Sequence, residues 1–99
     1  MKINFNVGLK NLAGKTLKDG DKNVTLKNVS INALLGNYDE KIDGNEKLKR
    51  FLLATKIYEV KDELELENDD VNLIRDLIAK GYSTVVTARA WQILDPHKK

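Results

Sequence analysis

The sequence predicts an α+β domain in which a small N-terminal antiparallel β-hairpin or sheet is followed by about four packed helices around a single core. Three observations predict it. Residues 2–7 alternate, with Ile3, Phe5 and Val7 opposite Lys2, Asn4 and Asn6, the period of two of a half-buried strand. Asp19-Gly20 stands between KTLK and DKNV, and Asp-Gly favours the positive backbone angles of a two-residue hairpin turn. From Thr25 onward the apolar residues recur at helical spacing between recognisable caps.

Gly8 ends the first strand, and residues 15–24 form a short, lysine-rich hairpin. Asp19, Asp21 and Asn23 share the D-x-D-x-N spacing that opens a calcium loop. The match then fails, because Val24 stands where the sharp turn needs glycine and Ser30 where a bidentate glutamate belongs. Thr25 is an N-cap. Leu26, Val29, Ala33 and Leu34 follow on one helical face, which Ile31 and Leu35 widen, and Gly36 is the left-handed residue expected to close the helix. A helix apolar over so much of its girth is expected to be central to the core. The alternative is an exposed partner-binding ridge.

Residues 37–45 are a polar connection. Asp43 and Glu46 have the capping-box spacing, and the helix they open, to about Tyr58, places Leu48, Phe51, Leu52, Thr55 and Tyr58 on one side. Lys47, Lys49, Arg50 and Lys56 lie elsewhere on it, a cationic surface suited to nucleic-acid phosphates or an acidic partner. Glu46 and Arg50 can pair at i,i+4. Residues 61–67 alternate again, Glu63, Glu65 and Glu67 against Leu64 and Leu66, which fits an edge strand with a charged outer side, pairing with the lysine-rich front of the chain. Asn68 caps a helix carrying Val71, Ile74, Leu77 and Ile78, with Asp76 and Lys80 at i,i+4, and Gly81 closes it. Ser83 caps the last helix, whose apolar set is Val86, Ala90, Trp91, Ile93 and Leu94, and Asp95-Pro96 ends it. Tyr82 and Trp91 are expected half in the core, each with its polar atom near the surface.

The 99 residues suffice for one domain, since two separately cored halves would each approach the lower limit for folding alone. Within it, residues 1–24 are the hairpin region, 25–95 are mainly helical and 96–99 form a loose tail. With 41% apolar and 32% charged residues, the composition is that of an ordinary globular protein. No apolar run approaches a membrane span and no signal-peptide core opens the chain, so a cytoplasmic protein without membrane contact is expected. The formal net charge is +2, unevenly placed. Residues 1–30 hold six lysines against Asp19 and Asp21, while residues 62–70 hold six carboxylates and no base. Such polarity can orient a partner.

Catalysis is not expected. Without cysteine there is no thiolate nucleophile, disulfide or thiolate zinc site. The one histidine, His97, stands on the polar tail, where a second group to orient it is hard to arrange. Neither phosphate-binding glycine motif occurs, and no cofactor or metal is called for. Three glutamates on one strand side do not face one another across a cleft, as the two carboxyls of a glycosidase must. The stretch IAKGYSTVVTARAWQIL has the outline of a helix-turn-helix, but Ala79 and Gly81 lie closer than that motif requires. Its reading helix would offer only Ser83, Thr84, Thr87, Gln92 and a single cation, Arg89.

The ordered set AGKTLKDGDKN, TLKNVSINALL, EKLKRFLLATKIY and DDVNLIRDLIAKGYSTVVTARAWQIL resembles a family of small proteins of tailed phages and prophages, over residues 14–94. Gly14-Lys15-Thr16 departs from the family's Gly-Lys-Pro type start, and Gly81-Tyr82-Ser83 from its proline before the last helix; both affect local turns only. The resemblance implies an origin and transfers no catalytic or binding residue. Together with the residues it suggests a non-enzymatic interaction protein, an assembly or accessory factor that binds another protein through Lys15, Lys18 and Lys22 and through Glu63, Glu65 and Glu67. The alternatives are a DNA-binding regulator using Ser83, Thr84, Thr87, Arg89 and Gln92, or an inhibitor of a host protein.

Overall fold

A computed structural model of the chain describes residues 1–36 and 41–95. In order the elements are β1 (Lys2–Asn4), β2 (Lys18–Asp19), β3 (Lys22–Asn23), α1 (Leu26–Leu35), α2 (Gly44–Glu59), β4 (Glu63–Glu65), α3 (Asn68–Gly81) and α4 (Thr84–Ile93). The expected α+β architecture is present, and the buried apolar residues join one cluster. Residues 37–40 of the connection at 37–45 and the tail at 96–99, with His97, lie outside the described residues.

The strands form two separate pairs. β1 runs antiparallel to β4 with Lys2 opposite Glu65, Ile3 opposite Leu64 and Asn4 opposite Glu63, so the lysine-bearing first strand does meet the glutamate strand. β2 pairs with β3, Lys18 opposite Asn23 and Asp19 opposite Lys22. That register makes Gly20 and Asp21 the two loop residues, one position later than Asp19-Gly20. Of these two only Gly20 has a positive φ, 64°, and glycine at the first loop position is the preference of a type II′ turn. Beyond Asn4 the chain leaves regular pairing but stays bonded: Lys27 N–H donates to Phe5 O, Leu26 N–H to Val7 O and Leu9 N–H to Val24 O. These bonds hold Phe5 and Leu9, both fully buried, against the start of α1.

Thr25 caps α1 by accepting from Asn28 N–H, as its hydroxyl and extended backbone allow. Gly36, however, is extended (φ −67°) rather than left-handed, so any residue could leave the helix there. α1 packs against both α2 and α3 and buries Leu26, Val29, Ser30, Ala33 and Leu34, which makes it the central helix. Ser30 Oγ is buried with no hydrogen-bond partner among the described residues. An unsatisfied buried hydroxyl costs about 1–3 kcal/mol, so Ser30→Ala is expected to stabilise the protein by a fraction of that range, read as a raised urea midpoint with an unchanged slope.

α2 differs most from expectation. Asp43 accepts from Glu46 N–H as a cap, but the Glu46 carboxylate turns forward, and Arg50 Nε donates to its Oε2 at 3.0 Å. Arg50, expected on the outer cationic side, is only 7% exposed. The buried side of α2 is Arg50, Leu53, Ala54 and Ile57. Leu48, Phe51, Leu52 and Tyr58, the expected apolar side, face outward.

α3 begins one residue earlier than read, with Glu67 at the N-cap position making no side-chain cap bond and Asn68 already helical. Asp69 and Asp70 occupy its first turn, where negative charge suits the helix dipole. Gly81 is its last helical residue and not a left-handed stop; Tyr82 N–H donates to Ile78 O instead. Ser83 caps α4, which lies against α3. Trp91 joins the two helices, its Nε1–H donating to Arg75 O at 3.0 Å while the Arg75 guanidinium stacks 4.2 Å from the ring centroid, an attraction between cation and ring face.

Candidate protein-binding face

α2 carries apolar side chains on two nearly opposite sides, because at 3.6 residues per turn positions 48, 51, 52, 55 and 58 fall on one and positions 50, 53, 54 and 57 on the other. One side must remain uncovered, since α2 lies at the edge of the helical layer and packs chiefly on α1. The covered side contains Ala54, whose small side chain suits close approach of two helices. The uncovered side leaves Leu48 56%, Phe51 56%, Leu52 52% and Tyr58 71% exposed, and the end of α1 adds Leu35 at 54%.

These residues form a ridge between two open grooves. One, of about 250 Å³, lies between α1 and α2 and is lined by Ile31, Leu35, Phe51, Thr55, Tyr58 and Glu59 among others. The second, of about 390 Å³, runs on the other side of the ridge along Leu48, Lys49, Leu52 and Lys56 to Asp70 at the start of α3. A lone exposed leucine needs no explanation, but a continuous group of five large apolar side chains is the usual mark of an interaction site. The sequence grouped Leu48, Phe51, Leu52 and Tyr58 on one side of α2, together with Thr55, and placed Leu35 separately on the widened face of α1. The available signal was the doubled stripe on α2, which is more apolar surface than one packing partner can cover.

The residues expected to bind protein are exposed but partly occupied. Lys15, Lys18 and Lys22 all lie on the surface of the hairpin, with Lys22 facing Asp19 across the strands. Glu63, Glu65 and Glu67 are exposed as well. Glu65 is bonded by the N-terminal ammonium of Met1, and this bond, with the charges of that ammonium and of Lys2, holds its carboxyl below the usual carboxylate range.

Of the residues expected to read DNA, Ser83, Arg89 and Gln92 make hydrogen bonds within the fold. Arg89 donates from Nε to Lys10 O at 3.1 Å, from Nη2 to Asn11 O at 3.0 Å and from Nη1 to Gln92 Oε1 at 3.3 Å. Asn11 Oδ1 in turn accepts from Ala13 and Lys15 N–H, so α4 fixes the loop at residues 10–15. Ser83 accepts from Val86 N–H. Only Thr84 and Thr87 have no such assigned side-chain role, and hydroxyls alone carry little phosphate affinity.

Among the described residues no group of three or more histidine, cysteine, aspartate or glutamate side chains could hold a metal ion, and no helix is long and apolar enough to cross a membrane. The chain matches no protein-family model, no curated protein and no solved structure.

Proposed function

We propose that the protein is a non-enzymatic binding factor that acts by docking another protein on the outer face of α2. In keeping with the sequence resemblance, its setting is a tailed phage or prophage, where it serves as an assembly or accessory factor in the cytoplasm of the host cell. The observation that supports this is the continuous apolar ridge of Leu48, Phe51, Leu52 and Tyr58 with Leu35, more than half exposed at every position. Desolvating such side chains against a complementary surface supplies most of the energy of a binding hot spot. The lysines of the hairpin and the glutamates of residues 63–67 orient the partner at longer range and contribute more to encounter rate than to affinity. Inhibition of a host protein would use the same surface and the same chemistry.

Capture from infected or lysogenic cells tests this reading. The wild-type chain is expected to retain a defined protein that Leu48→Asp/Phe51→Asp loses, while both chains melt at the same temperature. Retention of the same protein by the variant would end the assignment of this face. A DNA-binding role for α4 has less support, because Arg89 is committed to the loop carbonyls. A filter-binding series without steep salt dependence would remove it.

A further inference from the structure

Resting on the reading that α2 docks a protein, we infer that the docked element is an amphipathic helix whose apolar stripe is flanked by carboxylates. The shape argues for a helix. An exposed ridge with a groove on each side is what another helix presents to its partner, so the two can interlock by setting the ridges of one into the grooves of the other. The charges argue for an acidic one. Lys49 and Lys56 line the same groove and are both exposed. They stand seven residues apart, two turns or roughly 10.5 Å along the axis. A helix lying along α2 repeats its own positions at the same rise, so carboxylates seven residues apart on its flank meet both lysines at once. On the other side of the ridge Lys47 is exposed and Glu59 lines the groove, so the cationic flank is the one that carries Lys49 and Lys56.

The same pattern disfavours a second copy of this chain. Antiparallel pairing of α2 with itself sets like flank against like flank, and would bring Lys49 of one copy beside Lys56 of the other. A membrane surface would also accept lysines around an apolar stripe, but it presents no anions held at the fixed spacing of Lys49 and Lys56.

The full chain can be titrated with two synthetic helical peptides by fluorescence anisotropy at low salt. Both carry leucines at i, i+3, i+4 and i+7. One has glutamates seven apart on its flank, and its twin has lysines at the same positions. The glutamate peptide is expected to bind about ten-fold tighter than its twin, a preference that fades as salt shortens the screening length. Phe51→Asp should abolish binding of both peptides. Lys49→Glu/Lys56→Glu, two exposed substitutions that leave the fold intact by circular dichroism, should invert the preference. Equal binding of the twins, or an unchanged preference in the reversed variant, overturns the acidic partner and leaves protein docking standing. Failure of both peptides to bind overturns the helix itself. In that case, Phe51-dependent dimerisation in sedimentation equilibrium would assign the face to a second copy. Phe51-dependent binding to vesicles of phosphatidylcholine and phosphatidylglycerol would assign it to a membrane.

Discussion

Phe5→Ala should destabilise the protein by about 3–5 kcal/mol, the usual range for removing a buried phenylalanine. Phe5 is fully buried, and its backbone carbonyl accepts from Lys27 N–H at 2.8 Å, so it joins the N-terminal segment to the first turn of α1. The loss would be large against the roughly 5–15 kcal/mol that holds a small domain together. Chemical denaturation should show a much lower midpoint, or a chain unfolded at 37 °C. A shift of under about 1 kcal/mol would mean that the segment after β1 is not part of the core.

Leu34→Ala should cost about 2–5 kcal/mol, whereas Leu35→Ala, one residue along, should stay within about 0.5 kcal/mol. Leu34 is 3% exposed and Leu35 is 54% exposed, so neighbouring leucines of one helix separate the covered side from the open one. In a domain of this length each kcal/mol moves Tm by about 4–8 °C, which puts the two variants well apart in a thermal melt. Equal effects would place both leucines in the same environment and remove Leu35 from the binding face.

Much of the fold was legible in the sequence because it is written in local rules. Thr25, Asp43 and Ser83 cap their helices because a side-chain oxygen in extended backbone meets the free N–H groups of the next turn, whatever surrounds it. The period-two alternation of Ile3 and Phe5, and of Leu64 and Leu66, held for the same reason. The details that escaped are those in which two local solutions compete. The hairpin register moved by one residue, and Gly36 and Gly81 turned out not to adopt the left-handed conformation, since an extended exit serves a helix equally well.

The candidate site divides along the same line. By itself the sequence determined that α2 is a helix, that it is capped by Asp43, and that Leu48, Phe51, Leu52, Thr55 and Tyr58 share one side of it. It also determined that lysines flank them. Only the tertiary structure decided which apolar side is covered. α1 is enclosed by α2 and α3, while α2 stands at the edge with one principal neighbour, and that neighbour took the side with Ala54. Burial is a property of what lies opposite a side chain, and no residue's own position in the sequence states it. Leu48, Phe51, Leu52 and Tyr58 therefore read as core in the sequence and stand as a binding face in the fold.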